Sequence, residues 1–224
     1  MLNTLLFVVF PYVAVVLLVV GGLYRYFTHR FSFSSQSSEL LEKNILFWGS
    51  VAWHYGVVPT LLIHLGGFAI PGVMAVLHGT PTLLYITELA GKVLAFLALL
   101  GVLMLLIRRL ALSKVRVVTT PMDWVVLVLL LNQVFLGSWT AIFYRWGAVW
   151  FIRTATPWVQ SLATFHPQPE YIASLPWVPK LHFLNATLLI AIFPFSRLVH
   201  MAALPLVYLW RRVQVVIWNQ RPAQ

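Results

Sequence analysis

The sequence predicts an all-α membrane protein, a bundle of five transmembrane helices, and three observations carry that prediction. Of 224 residues, 61% are hydrophobic and only 9% charged, with a mean hydropathy of +0.88. Several stretches exceed the roughly 18 uncharged residues that mark a membrane span. The long Leu/Val-rich runs lack the two-residue alternation of a barrel strand. Because lipid offers no partner for a backbone amide, helices are the remaining solution. Residues 1–224 read as a single transmembrane domain.

Taken in order, the spans fall near 3–24, 45–70, 83–107, 123–145 and 181–202. The first, Leu2 to Leu23, lacks a basic leading segment and a small-residue cleavage site, so it reads as an uncleaved span. The second contains Pro59 and the fifth Pro194, each a site for a kink. Pro121 followed by Asp123 is a helix-start signal for the fourth. Before the fifth lies an apolar-polar segment, Val149 to Phe165, expected to lie along the membrane interface as an amphipathic helix.

Charge orients the bundle. The first loop carries Arg25, Arg30 and Lys43, the third Arg108, Arg109, Lys114 and Arg116, and the tail after residue 202 Arg211, Arg212 and Arg221. The second loop, Pro71 to Thr82, has no Lys or Arg, and the fourth, Trp146 to Lys180, has only Arg153 and Lys180. The positive-inside rule then puts the first and third loops and the 203–224 tail in the cytoplasm and the N-terminus outside. Tryptophans 48, 124, 139, 146, 158, 177 and 210 fall mostly near span ends, as an aromatic belt requires. A net charge of +10 distributed in this way forms no nucleic-acid face. Cysteine is absent, which excludes disulfides, thiolate-held iron–sulfur clusters and covalent c-type haem.

The chemistry is concentrated in four intramembrane histidines, His54 and His64 in the second span and His182 and His200 in the fifth. An ionisable residue in hydrocarbon is a functional candidate, and neutral imidazole is an axial ligand for haem iron. The two spans run antiparallel, so pairing without crossing joins His64 with His182 near the outside and His54 with His200 near the cytoplasm. Ten residues of helix separate His54 from His64 by about 15 Å, and eighteen residues separate His182 from His200 by about 27 Å at five full turns, on one face. The mismatch in rise, and a ten-residue gap about 80° short of three turns, must be absorbed by kinks, tilts and inclined haem planes. The competing reading is interhelical hydrogen bonding by these imidazoles. His29 and His78 fall in loops and are expected to be solvated; His166 lies at the outer surface.

Phe193-Pro194-Phe195-Ser196-Arg197-Leu198-Val199-His200 closely resembles the last span of the gamma subunit of membrane-bound respiratory nitrate reductase. So does Arg108-Arg109-Leu110 followed by Val115-Arg116-Val117-Val118-Thr119-Thr120. The histidine gaps are similar too, with weaker matches at Gln160-Ser161-Leu162-Ala163-Thr164-Phe165-His166 and Tyr24-Arg25-Tyr26. The resemblance implies a dihaem cytochrome b subunit carrying two non-covalent b haems. It would oxidise a quinol, menaquinol by expectation, near the outer haem. Electrons would pass to the inner haem, then to an iron–sulfur beta subunit and a molybdenum alpha subunit on the cytoplasmic face, where nitrate is reduced. By residue matching, His54 and His200 ligate the inner haem iron, and His64 and His182 the outer.

A lysine near the start of the third span helps bind quinol in that family, and no residue here matches it without a gap. Lys92 is the nearest candidate, with Glu88 one turn before it on the same face; a simple Lys–Glu pair is the alternative for both. Gly67 matches the family and is expected to leave room for a quinol ring. Arg197, one turn from His200, is a candidate partner for a haem propionate, or snorkels to lipid phosphate. Trp210, Arg211, Arg212 and Trp218 are expected to form a docking surface for the soluble subunits, or to lie on anionic lipid. Rival readings are a dihaem subunit of a hydrogenase, formate dehydrogenase or heterodisulfide reductase type of complex, and a haem-free anchor using its histidines as a proton relay.

Overall fold

A computed structural model describes residues 1–29, 41–144 and 147–202. Every regular element among them is helical: α1 (Leu2–Thr28), α2 (Asn44–Ala69), α3 (Pro71–Leu77), α4 (Pro81–Ala111), α5 (Ser113–Val117), α6 (Pro121–Phe143), α7 (Gly147–Arg153), α8 (Ala155–Ala163), α9 (Glu170–Ala173) and α10 (Trp177–Ile192). Five of these segments are long and apolar enough to cross a membrane: α1, α2, α4, α6 and Trp177–Phe195.

Local chemistry sets the boundaries. Thr120 and Asp123 form a reciprocal capping box at the start of α6, with Pro121 in the first turn, where its missing N–H costs nothing. Thr80 caps α4 by accepting from the Leu83 amide at 3.3 Å, again ahead of a proline. Pro11 cannot donate to the Phe7 carbonyl one turn earlier, α1 opens there into a π-helical turn over Leu5–Val9, and the indole N–H of Trp158 donates to that carbonyl at 2.9 Å.

The spans pack as an open row. α2 lies on α4, α4 on α6, α6 on α10 and α10 on α1, whereas α2 scarcely meets α10 or α1. The α2–α4 seam is the tightest. A Cβ on Gly56 would strike the Ala98 backbone and one on Gly101 the Trp53 backbone, so only glycine allows these two main chains to meet. Most other apolar surface on the spans points outward, where in a bilayer lipid completes the packing.

Two findings correct the sequence reading. The segment from Val149 to Phe165 is not one interfacial helix. It breaks at Thr154, and α8 buries Ala155, Thr156, Trp158 and Ser161 inside the protein, bridging the gap in the row like a lid. Trp158 packs there on Phe7 and Phe183, with Ile172 beneath. The fifth span is also not continuous to residue 202. Pro194 ends the α-helix at Ile192, a short 3₁₀ turn follows over Phe193–Phe195, Ser196 is extended (φ −110°, ψ 176°), and a second 3₁₀ turn covers Arg197–Met201. His182 and His200 therefore do not share one face of a regular helix.

Candidate functional site

All four histidines lie on the two elements that scarcely meet, His54 and His64 on α2 and His182 and His200 on α10 and its continuation. His64 and His182 are half-buried. Both belong to the lid end of the bundle, where the His64 ring meets Phe151 edge-on at 5.5 Å between centroids. His54 and His200 are exposed in the isolated chain, towards the opposite, basic end.

Three of the rings are set in the same way. The Nδ1–H of His54 donates to the Ser50 carbonyl at 2.8 Å, that of His64 to Thr60 at 2.7 Å, and that of His200 to Arg197 at 2.6 Å. A carbonyl can only accept, so each contact puts the proton on Nδ1 and leaves the Nε2 lone pair free for a metal. A metal-bound imidazole usually donates its other ring N–H in this way. His182 differs: its Nδ1–H donates to the Gln133 carbonyl at 3.1 Å, while Nε2 lies 3.2 Å from the Gln133 side-chain amide. That amide must turn aside before Nε2 can ligate iron. Gly137 faces the same ring so closely that a Cβ would lie 2.9 Å from His182 Cε1. The residues present thus fit bis-imidazole ligation, three as they stand and the fourth after one side-chain rotation. Among the described residues no group of three or more His, Asp or Glu gathers as a bare-ion site; a porphyrin supplies its own equatorial ligands and needs only pairs.

The sequence reading missed the polar strip beside His182. Asn185 donates to the Gln133 side-chain oxygen at 2.7 Å and to the Leu129 carbonyl at 3.0 Å, and accepts from Asn132 at 3.0 Å. Adjacent amides Asn132 and Gln133 inside an apolar run, and Asn185 one turn from a histidine, were the available signal.

The remaining candidates occupy definite places. Lys92 pairs with Glu88 at 3.8 Å. Gly67 is buried, its carbonyl accepts from Thr156 at 3.1 Å, and the Phe151 ring fills the space beside its Cα. His78, between α3 and α4, is half-buried with no hydrogen-bond partner for Nδ1, not solvated as expected. Burial pushes its imidazole down while the Glu88 carboxylate pulls the other way. At the basic end Arg197 meets Asp123 at 3.1 Å, Arg109 donates to Thr119 at 2.9 Å, and fully buried Arg108 binds Glu42 through its carboxylate at 2.7 Å and its carbonyl at 2.9 Å. Trp210, Arg211, Arg212 and Trp218 lie outside the described residues.

Five apolar spans, two of them carrying histidines, suit a multi-pass membrane protein of the cytochrome b kind. The family model for the nitrate reductase gamma subunit matches residues 3–219, and the chain belongs to that family. It is 32% identical to the nitrate reductase gamma chain of Bacillus subtilis (strain 168), over 99% of this chain and all of the relative. To the respiratory nitrate reductase 1 gamma chain of Escherichia coli (strain K12) it is 30% identical, over 96% and 97%. An Hdr-like menaquinol oxidoreductase cytochrome b-like subunit of Archaeoglobus profundus is 28% identical over 68% of this chain and 46% of its own length. The protein is thus a membrane-anchoring cytochrome b subunit of a nitrate reductase, resident in the bacterial inner membrane.

Proposed function

We propose that this subunit oxidises a quinol near the lid end, on the outside of the membrane, and passes electrons inward to an iron–sulfur beta subunit and a molybdenum alpha subunit that reduces nitrate. The observation that carries the reading is the shared setting of His54, His64 and His200, each with Nδ1–H spent on a carbonyl and Nε2 free. Two b haems, when bound, would supply one-electron relay between quinol and the cytoplasmic subunits.

The chain's own residues do the holding and orienting. His64 with His182 would grip the outer haem and His54 with His200 the inner. The carbonyls behind the rings fix their orientation and raise the basicity of Nε2. Gln133 swings from His182 towards Asn185, which already holds its side-chain oxygen. Lys92 and Glu88, near the start of α4, would be the charged pair that meets the quinol, and Gly67 would keep α2 slim there once Phe151 moves. Arg197 would divide its guanidinium between Asp123 and a propionate. Moving negative charge inward works against an inside-negative potential, about 2.3 kcal/mol per charge per 100 mV, so the transfer conserves redox energy. The basic loops, with the 203–224 tail, would form the docking face for the soluble subunits.

A reduced-minus-oxidised spectrum with haem quantification tests this directly, with two b haems expected per chain. Replacing His64 should remove the outer haem and quinol oxidation while leaving the inner haem reducible by dithionite. Survival of both haems in that variant would show that the ligands have been misassigned.

A further inference from the structure

The break in the fifth span creates a physical problem that α1 solves. Pro194 has no N–H and Ser196 is extended, so carbonyls near the break lose their helical donors in a buried segment, where an unpaired carbonyl is costly. The Arg25 guanidinium, on α1, donates from Nη1 to the Pro194 carbonyl at 2.7 Å and to the Ser196 carbonyl at 2.8 Å. Gly21, one turn before Arg25, lets the break press against α1: a Cβ there would lie 3.0 Å from Pro194 Cγ and 3.1 Å from the Phe195 ring.

The same segment is held from its other side. Asp123, fixed by its capping box, binds Arg197 at 3.1 Å. Between the two anchors the Ser196 hydroxyl accepts from the Leu198 amide at 3.1 Å and starts the final 3₁₀ turn. In that turn the Arg197 carbonyl accepts the His200 Nδ1–H at 2.6 Å. The direction of the His200 ring is thus set by the Arg197 carbonyl, and the Arg197 backbone by Arg25 and Asp123.

We infer that Arg25 is a positioning residue for His200: by tying down the carbonyls of Pro194 and Ser196 it fixes the non-helical turn that aims His200 at the inner haem. The inference rests on the proposed ligation. A guanidinium suits this task because it is always charged and its planar donors serve two acceptors at once. A regular helix would need no such tie; a helix ended by proline before its ligand does.

The test uses the complete complex in native membranes and follows two signals, the midpoint potential and the low-spin EPR signature of each b haem. In Arg25→Met the inner haem is expected to shift in both signals and to be lost about 10-fold more readily, the usual effect of removing support behind a metal ligand. The outer haem serves as the internal reference and stays unchanged. Arg25→Lys, which keeps the charge without the fork, restores part of the shift. Hydrogen exchange over 193–201 rises in Arg25→Met. If Arg25→Met does not accumulate, Arg25→Gln is read by the same measurements. An unaltered inner haem in the variant overturns the inference, as does an equal shift of both haems. Absence of any bis-histidine haem signal in the wild type instead overturns the ligation on which the inference rests.

Discussion

Gln133 touches His182 with its carbonyl and its side-chain amide, while its side-chain oxygen belongs to Asn185. Replacing Gln133 with Ala frees His182 Nε2 and leaves Asn185 with its bond to the Leu129 carbonyl. Thermal unfolding is expected to show a loss of about 1–3 kcal/mol, the range for a buried group deprived of one partner, while haem quantification shows the outer haem retained. At the other end, burial works to raise the Glu42 carboxyl, but the hydrogen bonds from Arg108, Ile45 and Leu46 and the Arg108 charge hold it below the usual carboxylate range. A carboxylate depressed in the folded state stabilises above its unfolded pKa, and that contribution disappears as pH falls through the folded value. Acid therefore loosens the start of α2 in the wild type; in Glu42→Gln this acid step is absent from a pH series of hydrogen exchange over residues 41–50. The four histidines and Arg108 were legible as residue types in an apolar text. The Gln133–Asn185 strip was not, because an amide in a span signals nothing until its partner on another helix is known.

The elements differ in how openly the sequence declared them. The start of the fourth span at Pro121 and Asp123 was readable because capping and proline act within one turn, whereas the same signal at Thr80-Pro81 was passed over and the third span placed from 83. The fifth span misled, since Pro194 reads equally as a kink or a stop, and the residue that holds the carbonyls of the break, Arg25, lies 169 residues away in the chain. The lid misled for a similar reason: α8 is amphipathic whether its apolar face meets lipid or, as here, Phe7 and Phe183. Glycines make a paired test at this scale. Gly101→Leu is expected to force α2 from α4, costing at least the ~1–3 kcal/mol typical of overpacking and lowering the yield of assembled complex. Gly22, with nothing near its absent Cβ, takes alanine with a gain of about 0.5–1 kcal/mol in detergent melting. Equal effects at both positions would contradict the seam.

For the whole molecule, five spans followed from hydropathy alone, with approximate edges for all but the fifth, and the order α2–α4–α6–α10–α1 could not, because helix neighbours are chosen by packing. The open row has its own consequence for topology. Basic side chains gather where α1, α4 and the fifth span end, so a reporter fused at the N-terminus is expected to be outside and one inserted after Lys114 inside; the reverse would invert the proposed direction of electron flow.

The bridging helix α8 is sewn down on both sides. Thr156 and Gln160 donate to the carbonyls of Gly67 and Phe68 on α2, while Trp158 donates to Phe7 and the Tyr12 hydroxyl to Leu162 across to α1. A visitor arriving from the aqueous side would have to unpick several of these stitches together. One already dissolved among acyl chains would meet none of them, so the proposed quinol site calls for entry in the plane of the bilayer rather than through α8.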